Sequence, residues 1–321
     1  MTLFRPAFGL ANAHAQTIWP SKFRRVKHLP VVQAAWPRPQ GGVVDMVLRP
    51  YKTSCPGVLL LHGLEGSARS NYLRGMMSAV DQAGYNVAAL EFHSCGPSPP
   101  SSPQLYHSGR TDEIAFAISQ LRTLWKGAPL AACGFSLGGN ALLKYLGETG
   151  DDAPLVAAVA ISVPFDLAAC ARSLDGPGFF AKTYRNYFLK SLRRKAIEVA
   201  QRFSVPFSEE QVNACRTLRA FDDLVTAPLF GFASAEDYWA RNSSAGFLAG
   251  IRRPALLLSA ADDPFIPKSA IPRDVIAANP RLQLLLSHQG GHAGFLHGPP
   301  WRLRYWSESA ALTFLQQKLG V

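Results

Sequence analysis

Cysteine is scarce in this chain and is never arranged for chemistry. Cys55, Cys95, Cys133, Cys170 and Cys215 are odd in number, widely spaced and never in a C-x-x-C pair. That argues against a disulfide framework and fits a reducing compartment. Cys133 reads as a small core residue. No residues stand at zinc-ligand spacing, so no metal and no other cofactor is expected. No uninterrupted apolar run is long enough for a membrane span. Phe8 to Ala15 imitates an apolar core before an A-x-A site. Pro6, Asn12 and His14 interrupt it, and it is too short for a secretory signal. The expected compartment is the cytoplasm. Acidic residues are in deficit: 22 Asp and Glu against 33 Lys and Arg give a net charge of +11. The excess permits attraction to nucleic acid, anionic lipid or anionic substrate. No RNA-binding signature accompanies it, so it is read as a solvated surface with no nucleic-acid partner.

With 48% hydrophobic and 17% charged residues, the 321-residue chain is globular and can bury one large core. Internal repeats and low-complexity tracts are absent. Residues 1–30 are rich in proline and basic residues and read as an irregular arm. Val31 to Trp36 and Val43 to Leu48 read as strands of a hairpin, joined by the turn-rich Pro37 to Gly42. Gly57 to Leu61 is a continuous apolar run, as in a parallel strand buried on both faces. Helices and strands then alternate: Ser70 to Ala83, Asn86 to Phe92, Thr111 to Trp125, the strand from Leu130, its helix, and Val156 to Ile161. Pro254 to Ser259, Leu282 to Leu286 and a closing helix from Leu303 to Leu319 follow. The alternation predicts a mostly parallel, doubly wound α/β sheet in one domain.

Residues 165–250 interrupt it. This segment is too long for an ordinary connection and predicts a helical cap over the C-terminal strand ends, where open α/β sheets bind ligands. Its best helix runs from Thr183 to Phe203. The aromatic cluster Phe179, Phe180, Tyr184, Tyr187 and Phe188 is expected to line a substrate pocket. Lys182, Arg185, Lys190, Arg193, Arg194, Lys195 and Arg202 form a basic face. A basic amphipathic helix can lie on a membrane, so weak membrane-surface contact is a secondary reading.

The chain is organised around Gly134-Phe135-Ser136-Leu137-Gly138, the G-x-S-x-G pattern of a nucleophile elbow. A strand precedes it and a helix follows, the context that chemistry at Ser136 requires. A serine needs a base. His292, in the glycine-rich Gln289 to Phe295 stretch after the last strand, is the candidate. The base needs an acid, and Asp262 and Asp263 both follow the preceding strand. An oxyanion needs two amide donors: Leu137, after the nucleophile, and Leu64, in the His62 to Ser67 loop. His62 reads as a brace for that loop.

These motifs resemble the YheT-like branch of the α/β-hydrolases, whose eukaryotic relatives include abhydrolase-domain lipases and phospholipases. The matching stretches are Asn12 to Thr17, His62 to Ser67, Leu105 to Asp112, Gly134 to Asn140, Asp262 to Phe265 and Gly291-His292. The resemblance implies the α/β-hydrolase fold and a serine carboxylesterase or monoacylglycerol-lipase-like activity on a small-molecule ester or lipid. It places the triad on Ser136, Asp263 and His292. Asp263 also stands four residues before Pro267, a spacing common in that family. Acyl transfer, thioester hydrolysis and phospholipid hydrolysis stay open on the same residues. A non-catalytic lipid-binding protein is the rival from another class, and the intact Ser-Asp-His set argues against it. One departure is His93, where the family pattern leads one to expect arginine.

Overall fold

The computed structural model describes residues 4–39 and 41–320. Met1 to Leu3 of the expected arm and Gln40 of the expected turn lie outside the described residues. The arm is not irregular throughout: it contains α1 (Ala13–Phe23). Asn12 starts this helix, its side-chain oxygen accepting from the His14 and Ala15 amides at 2.9 and 3.2 Å. Those are donors that a first turn otherwise leaves free. Pro20 lies inside the helix, where a missing N–H masks the helical signal in the sequence.

β1 (Val32–Pro37) and β2 (Val43–Leu48) pair antiparallel, Val32 opposite Leu48. Next come β3 (Gly57–Leu61), α2 (Asn71–Gln82), β4 (Asn86–Glu91), α3 (Asp112–Leu124), β5 (Leu130–Phe135), α4 (Leu137–Thr149) and β6 (Ala157–Ile161). A long helical segment follows: α5 (Leu167–Leu174), α6 (Phe179–Arg202), α7 (Glu209–Ala214), α8 (Leu218–Phe221), α9 (Ala227–Phe230) and α10 (Ala235–Asn242). One turn of π-helix, Asp222–Thr226, joins α8 to α9. The chain closes with β7 (Ala255–Ala260), α11 (Arg273–Ala278), β8 (Leu282–Ser287), a short ribbon of β9 (Leu296–His297) and β10 (Arg304–Tyr305), and α12 (Trp306–Leu319).

The main sheet has the order β1-β2-β4-β3-β5-β6-β7-β8, parallel from β4 onward. Its strands alternate faces as pleating requires. Leu59 and Leu61 of β3 join a core with Ile114, Ile118 and Leu142 of α3 and α4. Val58 and Leu60 join one with Leu73 and Met76 of α2 and Phe314 and Leu315 of α12. The chain leaves β3 toward β4 on one side, whereas β5 lies on the other. The C-terminal ends of β3 and β5 therefore flank a topological switch point, where such sheets open a crevice.

The helical segment has its own core. Leu189, Leu192, Ala196 and Val199 of α6 pack with Phe207 and Phe221, and with Leu105, Phe265 and Ile266 from loops of the sheet. The expected basic face of α6 is only partly a face. Lys195 is buried. Arg185 donates to the Leu174 and Gly176 carbonyls, and Arg193 to the Cys215 carbonyl. Among the described residues no helix is long and apolar enough to cross a membrane.

Candidate active site

β5 runs into the elbow. Ser136 has φ 50° and ψ −120°, backbone space that a residue with a side chain occupies only when its surroundings impose it. Here the Ser136 amide donates to the Ile161 carbonyl at 2.8 Å, and its carbonyl accepts from the Asn140 amide at 3.0 Å. Glycine is a packing requirement on both arms. A Cβ on Gly134 would lie 2.5 Å from the Gly138 carbonyl oxygen, and one on Gly138 would lie 2.5 Å from that of His62. Asn140, fully buried, ties the elbow helix down: it donates to the Ser108 and Asn242 carbonyls and accepts from the Ser244 amide.

His292 sits in the loop after β8, where Gly291, Ala293 and Phe295 all take positive φ. Neighbours hold that shape. The His292 amide donates to Thr17 Oγ1 at 2.9 Å, Gly291 to Asp262 Oδ1 at 3.0 Å and Ala293 to Ser162 Oγ at 2.9 Å. Buried Gln16 brackets Leu296 through both its amide and carbonyl. α1 thus supplies two residues that shape the His292 loop. Sequence reasoning gave them no such role, although both lie in the Asn12 to Thr17 stretch that carries the resemblance.

The two aspartates separate cleanly. His292 Nδ1 lies 2.9 and 3.1 Å from Asp263 Oδ2 and Oδ1. Asp263 Oδ1 also accepts from the Phe265 and Ile266 amides. Asp262 turns to Gly291 instead. A carboxylate on Nδ1 holds the ring proton there and leaves Nε2 as the basic nitrogen.

In the loop after β3, the Gly63 amide donates to Tyr72 Oη at 2.9 Å and the Glu65 amide to Tyr106 Oη at 2.6 Å. Between them, the Leu64 amide meets no protein acceptor among the described residues, and neither does that of Leu137. His62 is fully buried. Its Nε2 accepts from the Phe92 amide and its Nδ1 donates to the Gly63 carbonyl. Burial pushes its pKa down to about 4. His62 is a neutral brace, as its position after β3 suggests. At the departure point, burial, then Arg110 and Arg38, push the His93 pKa down to about 4. Arg38 and Arg110 both reach Asp112 and Glu113, so guanidinium charge enters this spot from elsewhere in the chain.

Ser136, His292, Leu64 and Leu137 line one cavity of about 120 Å³. Leu105, Leu174, Leu192, Leu218, Phe221 and Ile266 give it apolar walls. Of the five aromatics expected there, only Phe188 lines it. Tyr184 is buried against Phe265, its hydroxyl 3.0 Å from His14 Nδ1. Phe179, Phe180 and Tyr187 are 78%, 41% and 62% exposed and face outward. The helical period puts residues 184, 188 and 192 on the inner face and 187 off it; Phe180 continues that row but lies in the exposed first turn of α6. A half-buried carboxylate missed by the sequence reading, Asp222, also lines the cavity. It accepts from Thr226 Oγ1 at 2.7 Å and Trp239 Nε1 at 2.9 Å, and burial pushes its pKa up to about 7. Among the described residues no group of three or more His, Cys, Asp or Glu is placed to hold a metal ion.

Residues 56–299 match the family model for the α/β hydrolase fold. The chain is an α/β-hydrolase. YheT of Escherichia coli, named as a candidate esterase, is 35% identical over 95% of this chain and 91% of its own length. Mouse phospholipase ABHD3 is 32% identical over 76% of the chain, and the monoacylglycerol lipase of Saccharomyces cerevisiae 32% over 79%. The α/β-hydrolase spans only 59% and 57% of those two relatives. A solved esterase from Pyrococcus furiosus superposes with a TM-score of 0.61, covering 100% of this chain and 99% of its own, at 14% identity. That likeness speaks for the fold alone.

Proposed function

We propose that this α/β-hydrolase cleaves carboxylic esters through an acyl-serine intermediate. The observation that carries the reading is the hydrogen-bonded Asp263–His292 pair opening onto the same cavity as a strained, elbow-borne Ser136. Ser136 Oγ attacks the ester carbonyl while His292 Nε2 takes its proton. The imidazolium that forms is stabilised by Asp263 and then protonates the leaving alcohol. The Leu64 and Leu137 amides hold the oxyanion, each lowering the barrier by about 3 kcal/mol. Water, activated by His292, then releases the acid.

The helices of residues 165–250 act as a cap, and their inner residues Phe188 and Leu192 contact the acyl group. An apolar cavity of about 150 Å³ accommodates benzene, so the 120 Å³ here favours short acyl chains. The names of YheT, ABHD3 and the yeast lipase support an ester or lipid substrate.

Ser136→Ala tests the reading. The folded variant is expected to lose both fluorophosphonate labelling and turnover of a p-nitrophenyl ester. Labelling that persists in it would overturn the assignment of the nucleophile.

A further inference from the structure

The aromatics that turn away from the cavity are not scattered. Trp19 and Phe23 of α1 are 39% and 62% exposed, beside exposed Phe179, Phe180 and Tyr187 of α6. Ring contacts join the two helices: His14 stacks on Phe180 at 3.6 Å and Lys22 Nζ lies 5.5 Å from the Tyr187 ring, while within α1 Trp19 meets Phe23 at 4.8 Å. Contiguous exposed apolar surface with a polar rim marks an interaction site. The charged side chains that the two helices themselves bring to the patch have one sign. No Asp or Glu occurs before Asp45, nor anywhere in residues 176–197. The same stretches hold Lys22, Arg25, Lys182, Lys190 and Arg194.

We infer that this α1–α6 patch docks the enzyme on an anionic lipid surface. Aromatic rings prefer the level of the lipid headgroups, and each basic residue near an anionic leaflet adds about a further factor of five in affinity. A protein partner would need acidic, aromatic-accepting complementarity for which the chain offers no sign; a charged bilayer provides both features without shape matching. The patch also leads to the site. Phe180 stacks toward Tyr184, Tyr184 packs on Phe265, and Phe265 lies 4.3 Å from the His292 ring. Phe188, next to Tyr187, already lines the cavity. Docking therefore sets the cavity mouth beside the bilayer, where an ester enters without crossing water. What the docked enzyme would cleave rests on the proposed esterase activity; the docking itself does not.

Co-sedimentation with vesicles decides it. The full chain is mixed with vesicles of phosphatidylglycerol and phosphatidylcholine, or of phosphatidylcholine alone, at low and high salt. Binding is expected on the anionic vesicles, weakened at least about tenfold by high salt, as screening of surface charge requires. Lys22→Glu with Lys182→Glu, and separately Phe23→Ser with Phe179→Ser, should each weaken it about tenfold or more. All four side chains are on the surface, and melting temperatures check that the variants fold. Equal binding to both vesicles, no binding, variants that bind like the parent, or a dimer in light scattering that the Phe variants dissolve would each overturn the proposal. Ser136→Ala should still bind. A parent that binds vesicles and hydrolyses no ester would retain the docking and sink the esterase reading.

Discussion

Lys195 Nζ of α6 lies 2.9 Å from Glu65 Oε1, in the loop after β3, and both side chains are buried. Tyr106 Oη donates to the same carboxylate oxygen at 2.8 Å. Glu65 has φ 54°, a strained backbone that its partners hold in place. The next residue back is Leu64, which lines the cavity. The helical segment and the candidate oxyanion loop are thus pinned together by one ion pair between residues 130 positions apart.

Removing one partner should therefore hurt more than removing both. Lys195→Met leaves Glu65 buried and uncompensated, a change that costs about 3–5 kcal/mol. It should also lower kcat by loosening the Leu64 amide. Lys195→Met combined with Glu65→Gln should recover most of the stability. Denaturant melts of the three variants check this; a double variant as unstable as the single one would mean that the pair is not the coupling.

Asp263→Asn should cut kcat by on the order of 10⁴, because an amide on Nδ1 favours the wrong His292 tautomer. Asp262→Asn removes an acceptor for the Gly291 amide and should cost far less. Kinetics of both folded variants decide between them. A larger loss for Asp262→Asn would move the acid by one residue.

What was legible in the sequence follows from how local each signal is. β3 was readable because Gly57 to Leu61 is buried on both faces and so carries no polar residue. The elbow was readable because the Gly134–Gly138 contact is four residues long. The inward face of α6 was not, because which way Phe188 and Tyr187 point depends on how Tyr184 packs on Phe265, far along the chain. Lys195 looked like one more solvated base in a basic stripe; its partner lies in another element. α1 was hidden by Pro20, and its hold on His292 through Thr17 is a contact across 275 positions.

That hold is testable. Thr17→Val keeps the shape of the side chain but leaves the His292 amide without its acceptor, a loss of about 1–3 kcal/mol. The expected result is a lower kcat with little change in KM, together with faster hydrogen exchange in the loop from Gly290 to Phe295. Unchanged exchange there would show that the loop is held by Asp262 and Ser162 alone.

Asp222 predicts a pH dependence opposite in sign to that of His62 and His93. Its pKa, 3.8 when free, is pushed up to about 7 by burial, with the Thr226 and Trp239 hydrogen bonds acting the other way. The folded state therefore holds a proton that the unfolded state has released between these values. Stability from this group is fully present below about pH 4 and is lost as pH rises through about 7, on the order of 4 kcal/mol in total. His62 and His93 run the other way. Each has its pKa pushed down from 6.5 to about 4, mainly by burial, so their contribution is present above pH 6.5 and is lost as pH falls through about 4. Asp222→Asn removes only the first effect. Its melting temperature relative to the parent should rise steadily between about pH 4 and pH 8, while both proteins lose stability on the acid side through the histidines. A difference between parent and variant that stays flat across that range would show that Asp222 is ionised in the folded protein throughout it.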